Sequence, residues 1–354
     1  MLRLPHPIAS AAVLALSGFT ATAAQAAPPV YRIEAIAAQH QARPRTALGI
    51  SRNGIVTGGA WMKSRDSDSA YRFINGATRP LIGPDTLDAA GRRVNDDGAV
   101  VGWVGSAAWM WDSAGAGTSL DALMPCDADG DVRSSQGRDI NNAGDVVLKY
   151  HCVQSGIEVS GSFLYRGGSF VDLDNLGGGF NEVNAINTAG QAAGSSSLPP
   201  DGDGHSYVHA YIWEAGSLRD LGTLGGRSST AEDINDAGHV VGSARDAANV
   251  NIGYRYDGST MQALPTCPGS SNSPQPRAIN NRGQIVGMSL QHKNFQAFLL
   301  QKNRCYLLST ILDDSGTGWA NLQPQDINDD GVIVGYGQLG GGKEQAFIAK
   351  PVNP

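Results

Sequence analysis

The sequence predicts an all-β chain built as a seven-bladed β-propeller, with four-stranded blades and a ring closed by the first strand of the domain. Three observations predict it. A short motif returns seven times at near-constant spacing. The same succession of strand-like segments follows each return. The one segment missing from the last repeat stands near the start of the chain.

The motif is Ile-Asn-x-x-Gly followed by one variable residue, two mostly apolar residues and a second Gly. Aligned on its Ile or Val, it reads ISRNGIVTG at Ile50, VNDDGAVVG at Val94, INNAGDVVL at Ile140 and INTAGQAAG at Ile186. It continues as INDAGHVVG at Ile234, INNRGQIVG at Ile279 and INDDGVIVG at Ile327, at intervals of 44, 46, 46, 48, 45 and 48 residues. A fixed period of this length marks a repeat architecture.

Each repeat holds four segments. Strand A ends at the Ile, and strand B is the apolar pair with its Gly. Between them Asn-x-x-Gly predicts a tight hairpin, because Asn bonds its own backbone and Gly accepts positive φ. Strand C is aromatic: AYRF at Tyr71, AAWMW at Trp109, GSFLY at Phe163, HAYIW at Tyr211, IGYRY at Tyr254, QAFLL at Phe298 and QAFIA at Phe347. Strand D follows a short turn, as in LRDLGTLGG. Four strands in about 45 residues is the propeller-blade pattern. No strand D follows Phe347, and a matching segment, VYRIEAIA, occupies Val30–Ala37. Lending it to residues 324–349 completes the last blade and closes the ring. An open solenoid would instead need distinct end caps.

At DINDAGHVVG, HAYIW and DLGTLGG the sequence resembles bacterial extracellular repeat proteins of the HAF type, through His209, Ala210 and Tyr211 with Asp220–Gly226. The resemblance runs through all seven repeats. Only one copy keeps the His, Leu148 replaces the closing Gly of repeat three, and repeats one and five lack Asp-Leu-Gly. The resemblance implies export and a repeat architecture. It implies no defined reaction, and no catalytic residues carry over.

Composition agrees with many short strands: 46 glycines, 41% hydrophobic and 17% charged residues in 354. Lys+Arg is 26 against Asp+Glu 33, a net charge of −7 with no basic stripe, so nucleic acid is not an expected partner. Residues 1–26 read as a signal peptide, with Arg3, an apolar stretch and the small-x-small site Ala24-Gln25-Ala26. Residues 27–354 then form one propeller domain, expected to be monomeric, secreted or periplasmic, and without a transmembrane segment. Export permits disulfides. Of the four cysteines, Cys126 and Cys152 both fall on one face, where pairing is plausible. A Cys267–Cys305 bond is expected only if the 266–276 loop shifts, because Cys305 begins a strand D at the opposite edge.

Strand alternation puts the A–B and C–D turns on one face and the B–C and D–A loops on the other. The turns are minimal, and the long insertions at 126–137, 195–209, 266–276 and 313–324 share the loop face. Exposed variable loops on a rigid scaffold are where binding sits. On that face Arg92, Arg138, Glu232 and Arg277 precede the Ile positions, so charges of both signs converge on the channel mouth. They read either as an inter-blade ion network or as a site for a polar ligand. Trp61, Trp103 and Trp319 fall toward the same face, where an indole stacks on a ligand or packs beneath a loop. Asp127, Asp129 and Asp131 alternate as calcium ligands do, although the segment is not an EF-hand loop and also reads as a plain acidic turn. No cofactor is expected beyond this Ca2+ candidate. Asp201, Asp203 and His205 are a weaker metal candidate.

Evidence for catalysis is thin, since the seven histidines are scattered along the chain and no Gly-x-Ser-x-Gly occurs. The expected function is therefore an exported binding module for a protein or glycan ligand on the loop face. A polysaccharide lyase or glycosidase at the channel mouth is the alternative, and a structural envelope protein is the third reading.

Overall fold

In the computed structural model the described residues are 27–39, 41–64, 66–81, 83–84, 87–124, 132–154, 157–270, 273–291 and 294–352. The predicted leader lies outside them. So do Cys126, Asp127, Asp129 and Asp131.

Seven four-stranded antiparallel sheets form the ring. Blade one is typical, with strand A at Ala42–Ile50, B at Val56–Met62, C at Ser67–Ile74 and D at Ala77–Pro80. The other inner strands are Ala89–Val94, Val132–Ile140, Asn181–Ile186, Gly225–Ile234, Gln275–Ile279 and Trp319–Ile327. Among the described residues the only helical turns are three single 3-10 turns. No described helix is long and apolar enough to cross a membrane.

Closure follows the predicted register. Tyr31–Ala35 lies antiparallel beside Glu344–Pro351, with Tyr31 opposite Pro351, Ile33 opposite Ala349 and Ala35 opposite Phe347. The last blade thus holds both ends of the domain.

The sheets are buried on both faces, so the first three residues of each B strand are apolar or small instead of alternating. Val56–Ala60 and Ala192–Ser197 are buried at every position. The cores lie between blades. Ile36, Ile50, Val56 and Tyr71 pack against Val334, Ala346 and Ile348 of blade seven. Tyr71, Tyr211, Tyr254, Phe298 and Phe347 of the C strands are fully enclosed. Trp111 and Trp213 join the cores as their strand-C positions suggest, while Trp109 is half-buried.

The strand-B glycine has a steric cause. Every inner strand carries a register shift just before its closing Ile or Val, as between Ala231 and Asp233. The neighbouring carbonyl is pressed onto strand B. A Cβ on Gly242 would stand 1.9 Å from the Thr230 oxygen, and one on Gly102 2.0 Å from the Ala90 oxygen. Leu148 fills this place in blade three opposite Gly137, and packs with Val101 and Phe163.

One expectation is corrected. Cys267 and Cys305 are bonded, with Cα atoms 4.9 Å apart. The sequence placed the two at opposite edges of their blades. Instead, the chain after Leu264 enters the core between blades five and six, where Cys267 packs with Ile285, Leu300 and Cys305. Cys152 is buried at the end of its strand pairing, and its candidate partner Cys126 lies outside the described residues.

The closing strand gives a direct test. Ile33→Ala is expected to lower unfolding stability by about 2–5 kcal/mol, because Ile33 is buried in the blade six–seven core. Arg32→Ala removes only an exposed pair with Asp313 and is expected to cost about 0–1 kcal/mol. Urea titration of both variants compares them.

Candidate functional site

Inner strands present one unpaired edge to the axis, and its donors need partners. Two stacked sets of side chains meet that need. In the first, the motif Asn serves its own turn and the next blade together. Asn235 Oδ1 accepts from the Ala237 and His239 N–H groups at 3.1 and 3.0 Å, and its Nδ2 donates to the Asn280 carbonyl at 3.1 Å. The same link runs from Asn95 to Asn141, Asn141 to Asn187, Asn187 to Asn235 and Asn280 to Asn328. Asn328 donates to the Ser51 and Arg52 carbonyls and so crosses the closure. Ser51 is too short to continue, and Asn53 makes the bond to blade two instead, reaching the Asp96 carbonyl at 2.8 Å.

In the second set a buried carboxylate sits one residue before the Ile in alternate blades. Asp139 accepts from the N–H of its own Ile140 and of Ile186 in the next blade, both at 2.8 Å. Asp233 does the same for Ile234 and Ile279, and Asp326 for Ile327 and Ile50. The blades between carry small residues at this position: Ala185, Ala278 and Gly49. Three carboxylates therefore serve six blades, and blade two is left over. Its residue is Arg93, whose Nε lies 3.8 Å from Asp326.

One guanidinium faces three enclosed carboxyls, and burial outweighs it in their ionisation. Burial pushes Asp233 up to about 8 and Asp139 up to about 6, and raises Asp326, while Arg93 opposes the rise in each. Repulsion from Asp326 adds to the rise at Asp139 and Asp233.

The expected mouth residues do converge. Arg92 Nε donates to the Arg138 carbonyl at 3.1 Å. Arg138 bonds Asn184 and lies 3.6 Å from Glu182, which Lys149 also holds at 3.1 Å. Arg277 donates to Gln325 at 3.0 Å. Glu232 sits among Arg138, Arg92 and Arg277, and burial raises its carboxyl despite them. Each of these bonds joins neighbouring blades, as an inter-blade network would.

At the turn-face mouth, Arg52 of blade one reaches across the axis to Thr188 of blade four and to Asp236 of blade five at 2.9 Å. Asp96, Asn142, Asn281 and Asp329 surround it, and the residual cavity is about 150 Å³. Sequence reading passed over this residue because it lies within a minimal turn.

The tryptophans separate. Trp319 starts strand A of blade seven and packs edge-on against Phe347, with ring centroids 5.8 Å apart. Trp61 and Trp103 lie within B strands and are half-buried, where the sequence placed them just beyond. Trp61 lines a cleft of about 510 Å³ between blades seven and one, with Arg43, Arg45, Gln338, Lys343 and Glu344. Asp201, Asp203 and His205 bring ligand atoms within 4.8 Å of one another on an exposed loop. Asp201 Oδ1 already accepts from the Asp203 and His205 N–H groups, and this turn accounts for the convergence. The residues carrying the HAF resemblance also meet: His209 Nδ1 lies 2.8 Å from Asp220, which accepts from the Gly222 N–H.

The loop face carries one feature that sequence reading did not isolate. Large apolar side chains are exposed there at Leu87, Leu123, Ile157, Phe180, Val250, Phe295 and Leu339. The other three in the described residues, Val30, Val171 and Val352, lie on an outer strand or beside the turn face.

Residues 182–305, about a third of the chain, match a family described as "Protein of unknown function (DUF3466)". Comparison with curated proteins finds no match. Among solved structures, "YCF48 bound to D1 peptide" is similar at 11% identity, over 93% of this chain and 98% of that one, with a TM-score of 0.51. TolB from Acinetobacter baumannii is similar at 12% identity over 71% of this chain, with a TM-score of 0.42, and this chain spans 62% of its length. At such identities the likeness to YCF48 speaks to the fold alone.

Two outcomes follow from the axial layers. Asn235→Ala is expected to destabilise by about 2–3 kcal/mol in urea titration, since it leaves three bonds unmade. Asn235→Ser, copying Ser51, keeps the turn and is expected to cost less. The raised carboxyls bind protons in the folded state that the unfolded chain releases from about pH 4. Stability is therefore expected to fall as pH rises from about 4 through 6 to 8. Carboxyls held low, such as Asp145 beside Arg166, act only below about pH 4 and stay outside this window. Urea midpoints at pH 5.5 and 8.5 check the sign, and Asp233→Asn is expected to flatten the difference.

Proposed function

We propose that this chain is an interaction module that docks a protein partner on its B–C/D–A loop face. The one-sided exposure of apolar side chains carries the reading. Single exposed apolar residues are ordinary, but seven of the ten among the described residues gathered on the face with the long loops make a surface suited to burial. They spread round the rim from Leu87 to Leu339, so an extended or multi-point contact fits better than one small pocket. The turn face is bound up in its own hydrogen bonds, and Arg52 spans its axial mouth. YCF48, in its peptide-bound structure, offers a precedent for a chain of this fold holding a peptide.

We place the module outside the cytoplasm. The leader-like residues 1–26 and the Cys267–Cys305 bond both support an oxidising compartment.

Site-specific photo-crosslinking tests the face. A crosslinking residue at Leu123 or Phe295 is expected to trap a discrete partner in cells that make the protein, and one at Ala143 in an A–B turn is not. Adducts from Ala143 alone, or from none of the three, would refute the assignment. Phe295→Ser is expected to reduce recovery of the partner by roughly tenfold if that side chain anchors the contact.

A further inference from the structure

We infer that the cleft between blades seven and one receives an acidic side chain of the docked partner, held by Arg43 and Lys343 against Trp61. The inference rests on the loop-face reading and names the chemistry of one contact within it.

The walls come from two blades. In blade one Arg43 stands directly opposite Trp61, and Trp61 directly opposite Asp68, so the three form one row across the sheet. Arg45 also lines the cleft and is tied to Asp68 at 3.4 Å. In blade seven Gln338 pairs with Glu344, and Lys343 stands in the turn that joins them. That turn is Gly340–Gly341–Gly342, exposed throughout, so no side chain from those three positions covers the entrance.

Charge decides what fits. Asp68 answers Arg45, and with Glu344 the cleft sets two carboxylates against the three cations Arg43, Arg45 and Lys343. Neither the Arg43 nor the Lys343 side chain has a hydrogen-bond or ion-pair partner among the described residues, although a net −7 chain has acidic groups to spare. An exposed cation without a partner is common. Two of them converging on one cleft of about 510 Å³ beside an indole is more specific. A guanidinium offers a carboxylate two parallel N–H donors, and a lysine adds a point charge. The indole supplies a flat apolar wall for the methylene groups that carry the carboxylate. Leu339 is exposed one residue from Gln338, and an aliphatic neighbour of this kind suits a peptide better than a sugar acid.

The test uses the full chain and fluorescence anisotropy. The probe is a fluorescein-labelled hexapeptide of alternating Glu and Leu, with a Lys-for-Glu peptide as control and tetragalacturonate as competitor. The Glu peptide is expected to bind and the Lys peptide not to. Arg43→Glu and Lys343→Glu are each expected to weaken binding by at least roughly tenfold. Both side chains are exposed, so thermal midpoints should stay unchanged and report that the fold is intact. Binding of the Glu peptide that ignores both reversals, or that the Lys peptide equals, overturns the inference. Tetragalacturonate that binds more tightly than the Glu peptide, and is lost in the same variants, assigns the cleft to an acidic sugar and overturns it too. Crosslinking at Phe295 that survives both reversals, together with a failed peptide titration, sinks the cleft and leaves the loop-face reading standing.

Discussion

The inner edge of each blade cannot be paired by another strand, and this constraint governs the rest of the molecule. Seven rows of donors face one axis, enclosed by the ring they belong to. A buried N–H without a partner costs about as much as a lost hydrogen bond. The carboxylates of Asp139, Asp233 and Asp326 answer six of the Ile N–H groups, two apiece, by spanning from one blade to the next. The motif Asn repeats that two-way service one level away, toward the turn face. Closure, hairpin geometry and axial charge are thus settled by the same few side chains.

Division of labour between the faces follows. Turns that must present Asn to a neighbour on one side and receive it on the other have little freedom in length or sequence. Strand B is equally constrained, because the bulged inner strand drives a carbonyl into the place a Cβ would take at Gly242. Loops on the opposite face carry neither duty. Long insertions, exposed apolar side chains and the Trp61 cleft all occur there, where the scaffold does not penalise change.

Much of the fold was legible because each repeat restates it. The period, the Asn-x-x-Gly hairpins and the displaced strand Val30–Ala37 are local patterns, and closure needs only that they be counted. The convergence of Arg92, Arg138, Glu232 and Arg277 was legible for the same reason, since they hold one position in repeats two, three, five and six. What escaped depends on which residues face one another across space. Arg52 looked like a turn residue, and only the ring carries it to Asp236, 184 positions along the chain. Cys267 looked stranded from Cys305, because the path of its loop into the core between blades five and six is not a repeating feature. Trp319 looked like a loop indole, and its pairing with Phe347 depends on where blade seven begins. The one-sided apolar rim was hidden as well, because its members sit at unequal depths in loops of unequal length.

The axial carboxylates carry a consequence for how such a chain could grow. Asp alternates with a small residue round the ring, and an odd number of blades leaves one place that fits neither. Arg93 occupies that place and supplies the positive charge its three acidic neighbours share. Copying a single blade within the gene would make the count even, leaving the arginine beside partners that no longer need it or a new inner strand without an acceptor. Copying two adjacent blades, one acidic and one small, would preserve the scheme. The smallest addition this axial scheme accepts is therefore a pair of blades, although the unit visible in the sequence is the single repeat.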